Sequence, residues 1–160
     1  MEHIGIDVHK KESQLCIITE MGEVLEKHIA TERGRLKEVL GERGRAKILG
    51  EASTESEWVA RWLEELGHKV VVADPNFASM YGTRTRRIKT DKRDAHALAD
   101  ACLSGMYRKA HRVSESGRQL KAKLSARDAL VRERAKHLVL MGALVRQQGL
   151  RIATGRAEFF

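Results

Sequence analysis

Residues 3–8, HIGIDV, set Ile4, Ile6 and Val8 against His3, Gly5 and Asp7, the two-residue period of a strand with two unlike faces. The SQLCIIT that follows is an apolar, β-branched run, expected of a strand covered on both sides. Between it and EVLEKHIAT, the EMG tripeptide reads as a tight turn at Gly22. The first thirty residues thus predict a three-stranded antiparallel meander. The period then lengthens. TERGRLKEVLGERG is helical in its second half, with Leu36, Val39 and Leu40 as the apolar stripe, and AKILGEA returns to a strand.

STESEWVARWLEELG carries a helix start, with Ser53 or Thr54 as cap, acids in the first turn and Gly67 as stop. Its stripe of Trp58, Val59, Trp62, Leu63 and Leu66 has the spacing of a core face; the two tryptophans read as core rather than as a base-stacking platform. KVVVADP is a fifth strand, ended by Pro75, the only proline of the chain. A short NFASMYG helix, a basic stretch over residues 82–90 and a helix over DKRDAHALADACLSG, stopped by Gly105, come next. From Ser114 to about Leu150 the pattern predicts one or two long helices, with Leu124, Val131, Leu138 and Val145 recurring every seventh residue as a coiled-coil-like seam. Arg127, Arg132, Arg134 and Lys136 lie off that seam. The expected architecture is α/β, a ribonuclease H-like mixed sheet flanked by helices over residues 1–112, then a helical extension over 113–160.

Charge narrows the partners. Residues 1–80 carry 11 Lys and Arg against 15 Asp and Glu, a net −4; residues 81–160 carry 19 against 7, a net +12. A basic excess gathered in one half is what polyphosphate binding requires, because each neutralised phosphate releases counterions; the plain alternative is a solvated basic helix surface. No apolar run approaches the roughly 20 residues of a membrane helix, and charges replace the apolar region of a secretory leader. A cytoplasmic protein is expected. Cys16 and Cys102 lack partners at metal-ligand spacing and read as buried reduced thiols. The seven histidines form no Cys/His cluster.

Four carboxylates stand out by position. Asp7 is the one charge in the first strand's apolar run, costly to bury unless something pairs with it. Glu51 ends the fourth strand. Asp91 and Asp94 open the helix that follows the fifth strand, three apart and therefore on one face. Converging at one sheet edge, they would form an oxygen-only set suited to Mg²⁺ or Mn²⁺, and two such ions can promote phosphodiester displacement. Each acid also has a plain role. Asp91 can be an N-cap, Asp94 a helix-terminal charge, and Glu51 an acceptor for the STES turn. Lys10, Arg84, Arg86, Arg87, Lys89, Lys92 and Arg93 surround these acids and are the candidates for holding a nucleic-acid backbone.

IGIDVHKK, ILGEAST, VVVADP and KTDKRDAHALA, in this order and spacing, resemble the N-terminal domain of DEDD transposases of the insertion-sequence "one-ten" family, which are similar to RuvC-type Holliday-junction resolvases. The resemblance runs over almost the whole chain. It implies that Asp7, Glu51, Asp91 and Asp94 are the catalytic, Mg²⁺-coordinating set of a recombinase that moves DNA with a structured guide RNA. It implies a homodimer formed through the coiled-coil-like helices, and a separate C-terminal domain carrying a serine nucleophile. GLRIATGRAEFF stops where that domain would begin, so the expectation is a truncated part of the enzyme. The competing expectation is a module that grips nucleic acid and cuts nothing. An actin-like phosphotransferase, suggested by GID alone, lacks the Gly-rich phosphate loops it would need.

Overall fold

The computed structural model describes residues 1–77 and 91–151. Arg84, Arg86, Arg87 and Lys89, and most of the short helix expected over 76–82, lie outside the described residues. Two compact units divide the chain, Met1–Arg112 and Val113–Phe160.

The first unit holds β1 (His3–Val8), β2 (Glu12–Ile18), β3 (Val24–Ala30), α1 (Arg33–Leu40), β4 (Lys47–Glu51), α2 (Ser56–Glu65), β5 (Lys69–Ala73) and α3 (Asp91–Ser104). The five strands form one sheet in the order β3-β2-β1-β4-β5. β1, β2 and β3 pair antiparallel, whereas β4 and β5 extend the sheet from β1 in parallel. A meander followed by parallel strands added on the first strand's other side is the ribonuclease H-like arrangement. The parallel strands are joined through α2, the crossover such pairing demands.

Strand alternation sorts the two faces. Ile4, Ile6 and Val8 of β1, with Leu15, Ile17, Ile29 and Ile48, pack against Leu36 and Leu40 of α1 and Val59 and Leu63 of α2. Each such fully buried aliphatic side chain contributes about 1.5–3 kcal/mol. Trp58 and Trp62 pack on the rim of this core. Their indole N–H groups donate to Glu55 Oε2 (2.6 Å) and to the Arg33 carbonyl (3.1 Å), and the Arg33 guanidinium lies 5.0 Å from the Trp62 ring. Both tryptophans are thus committed to the fold.

The opposite face takes α3. Leu98, Ala101 and Cys102 pack on Leu49, Val71 and Ala73, while Ala95 and Ala99 pack on Cys16. The approach is close because β1 has a glycine at its centre. A Cβ on Gly5 would stand 2.1 Å from the Ala95 carbonyl oxygen and 2.3 Å from the Ala99 nitrogen. Small residues on both partners let the helix lie directly on the strand.

Two details differ from expectation. The N-cap of α2 is Glu55, without a side-chain cap bond, rather than Ser53 or Thr54. Ser56 instead folds back: its hydroxyl donates to the Ser53 carbonyl (2.9 Å) and accepts the Ser53 N–H (3.1 Å), which fixes the turn that leads into the helix. α1 is also longer than its glycines suggested, starting at Arg33, since Leu36 and Leu40 bury a full turn. The stops at Gly67 and Gly105 are as expected, both with positive φ (95° and 76°).

After α3 the chain returns along the outer edge of β5, where Asp74 N–H donates to the Arg108 carbonyl and Ala110 N–H to that of Val72 (both 2.8 Å). Arg108 pairs with Asp74 (2.7 Å). Arg112 reaches Glu57 (3.0 Å) and Glu64 (2.6 Å) of α2. The described residues of the second unit hold one continuous helix, α4 (Glu115–Gln147), capped by the Ser114 hydroxyl, which accepts from Gly117 N–H. None of its side chains is buried.

Candidate metal centre

The site lies where β1 and β4 end and α3 begins. Ile6 is paired with Gly50, so the next residues, Asp7 and Glu51, stand level on neighbouring strands. Two residues beyond Gly5, Asp7 shares the α3 side of the sheet. The Gly5–Ala95 contact brings the first turn of α3, with Asp91 and Asp94, over the same end of β1.

Asp7 is only 9% exposed and Asp94 4%; Glu51 is half-buried and Asp91 open to solvent. Burial pushes the Asp7 carboxyl above its ordinary value, and the charges of Asp94, Asp91 and Glu51 push it the same way against the opposing pull of His9. All three other acids therefore act electrostatically on Asp7. Among the described residues, Asp7 and Asp91 offer carboxylate oxygens close enough to share a divalent cation, while Glu51 and Asp94 act on Asp7 through their charge.

His9 was not among the residues singled out from sequence. Its Nε2 stands 3.3 Å from Asp7 Oδ2 and 3.4 Å from Asp91 Oδ1, and ligand atoms of His9, Asp7 and Asp91 all lie within 4.8 Å of one another. No sequence signal marked it, because β1 ends at Val8 and His9 opens the polar turn beyond it.

Among the basic candidates, Lys10 is exposed in the tight β1–β2 turn beside the site, and Arg93 is exposed on the first turn of α3. Lys92 is exposed too, but its amine pairs with Glu26 of β3 (2.5 Å), which also meets His96. A cavity of about 250 Å³ next to Asp91 is lined by His9, Lys11, Glu12, Gln14 and His28. Cys16 and Cys102 are both buried free thiols.

Residues 4–148 match the family of DEDD transposases of the IS110 type, described as "Transposase". The chain belongs to this family. A transposase for insertion sequence element IS1111A from Coxiella burnetii is 23% identical over 157 residues, or 98% of this chain. The chain spans 42% of that relative's length. Among solved structures, Thermus thermophilus RuvC alone (16% identity, TM-score 0.49) and RuvC of T. thermophilus in complex with Holliday junction substrate (15%, TM-score 0.49) each align with 69% of this chain. They are covered over 100% and 99% of their own lengths, respectively.

Proposed function

We propose that this chain is the divalent-metal-dependent DNA-processing part of a transposase, with Asp7, Glu51, Asp91 and Asp94 as its catalytic and metal-holding set. The observation that carries this reading is the burial of Asp7 at a strand end, with three acids from β4 and α3 acting on it, in a chain matching the DEDD family. A bound Mg²⁺ or Mn²⁺ would supply the positive charge that phosphodiester displacement needs. The chain's own residues provide the rest. Asp7 and Asp94 are held rigidly by strand and helix packing, Glu51 and Asp91 sit at the mouth, and Lys10 and Arg93 flank it to hold the phosphate backbone. Arg84, Arg86, Arg87 and Lys89, just before α3 in sequence, are assigned the same task, and Lys92 would have to exchange Glu26 for phosphate.

The partners we assign are DNA and a structured guide RNA, supported by the net +12 of residues 81–160. The compartment is the cytoplasm, where that DNA lies; no described helix is long and apolar enough to cross a membrane. We assign homodimerisation to α4, supported by Leu124, Val131 and Leu138, which recur at heptad spacing and are each at least 50% exposed. Complete strand exchange would draw on the part of the relative's length that this chain does not span. A second reading is a module that binds nucleic acid without cutting, supported by the same net +12 of residues 81–160.

The test is nicking of a branched DNA, with and without guide-like RNA, in Mg²⁺ or Mn²⁺. Nicking that needs the metal and disappears in Asp7→Asn supports catalysis. Nicking retained by Asp7→Asn removes the carboxylate assignment, and tight salt-sensitive binding with no nicking selects the binding module.

A further inference from the structure

We propose that His9 is a direct ligand in the metal centre, and that its imidazole makes the site prefer Mn²⁺ over Mg²⁺. This rests on the metal-holding reading of Asp7 and Asp91 given above and adds to it the identity of the ion.

The geometry comes first. A nitrogen ion-paired with a carboxylate closes to about 2.7–2.9 Å. His9 Nε2 does not close on either acid: it stands between oxygens from two different elements at nearly equal distances, 3.3 and 3.4 Å. Neighbouring ligands around a six-coordinate cation stand about 3.0 Å apart at 2.1 Å from the ion, a few tenths of an ångström inside the separations here. The backbone that carries the ring is fixed. His9 N–H donates to the Glu12 carbonyl (3.1 Å), closing the Lys10–Lys11 turn, so the residue belongs to the rigid end of the β1–β2 hairpin. The ring's approach is open through the cavity it shares with Asp91.

Donor chemistry then separates the ions. Mg²⁺ is hard, keeps its waters and takes carboxylates, whereas imidazole nitrogen binds first-row transition ions better. A purely carboxylate site would accept either ion; with one nitrogen among the oxygens it would not treat them equally.

The experiment uses the whole chain, freed of metal. Mn²⁺ binding is followed by loss of the free-ion electron paramagnetic resonance signal, and Mg²⁺ affinity by competition, for wild type, His9→Gln, His9→Asp and Asp7→Asn. His9 is half-exposed, so its variants can be checked for folding by circular dichroism. The expected result is a wild-type preference for Mn²⁺ that falls in His9→Gln by at least the roughly tenfold that loss of even an outer-shell partner costs. Mg²⁺ affinity should stay within about threefold, and His9→Asp, which restores an oxygen donor, should shift the ratio further toward Mg²⁺. An unchanged ratio in folded His9→Gln, with binding still lost in Asp7→Asn, overturns the role of His9 and leaves the carboxylate site standing. Absence of binding to the wild type overturns both.

Discussion

Burial and three neighbouring acids raise the Asp7 carboxyl above its ordinary value of 3.8, and this has a direction in pH. Above 3.8 and below the folded-state value, the folded chain keeps a proton that the unfolded chain has released, so stability of the metal-free protein falls as pH rises through that interval. Above the folded-state value the penalty is fully present. Asp7→Asn should therefore stabilise the metal-free chain and raise its melting temperature by a few degrees, since about 1 kcal/mol moves a chain of this length by roughly 3 °C. The same substitution should abolish any rise in melting temperature on adding Mn²⁺. Scanning calorimetry in chelator and then in Mn²⁺ tests both, and a lower melting temperature for the metal-free variant would refute the first. The Cys16 thiol, pushed up to about 11 by burial, should resist alkylation at pH 8 until the chain is unfolded in urea; a rate equal to that of a free thiol in the folded state would contradict its burial. At this scale the sequence was readable where a residue broke its context. Asp7 is a lone charge in an apolar run, and Glu51, Asp91 and Asp94 each stand at an expected element boundary. His9 broke nothing: in HKK, on a polar turn, its composition matched its surroundings, and only its distance from Asp91, 82 positions away, reveals a role.

Among the elements, the contact between β1 and α3 positions the site. With backbone atoms 2.1 and 2.3 Å from where a Cβ on Gly5 would lie, Gly5→Ala has no flexible neighbour to push aside and must lift α3. We expect a loss of about 1–3 kcal/mol from overpacking, and weaker Mn²⁺ binding, because Asp91 and Asp94 move with the helix. Denaturation and metal titration would show this, and a variant with wild-type values for both would mean that α3 is not held by this contact. Arg112 secures the other side by its double grip on Glu57 and Glu64, and these acids raise its already high proton affinity. Arg112→Ala should cost about 1–2 kcal/mol, measured by urea denaturation. The order of elements was legible because each change of apolar period coincides with a turn residue. The α2 start was not, since Ser53 and Thr54 both offer a capping hydroxyl, yet the helix begins after Glu55 with no side-chain cap bond. The closeness of α3 to β1 was equally hidden: Gly5, Ala95 and Ala99 are ordinary small residues until they are seen to face one another.

At the scale of the molecule, the basic side chains beside the acids should govern affinity for nucleic acid, and the acids its chemistry. Lys10→Ala and Arg93→Ala should each weaken DNA binding regardless of sequence and reduce the salt slope by about one, whereas Lys92→Ala should do less, because that amine already has Glu26. Fluorescence anisotropy across a salt series tests this, and unchanged slopes in the first two would exclude phosphate contact. If α4 joins two copies, sedimentation should show a mass that rises with concentration and returns to the monomer in Leu124→Asp/Leu138→Asp; a monomer at all concentrations would remove the dimer. Within the sheet domain, the acids span the fold from its first strand through β4 to α3, Asp7 and Asp94 being 87 positions apart. A ribosome makes β1 at the outset and α3 only after the whole sheet, and the chain emerges at about 5–20 residues per second. The nascent protein therefore passes several seconds carrying Asp7 without Asp91 or Asp94. Competence to break DNA would be the last thing the domain acquires, and an interrupted translation product would be a harmless one.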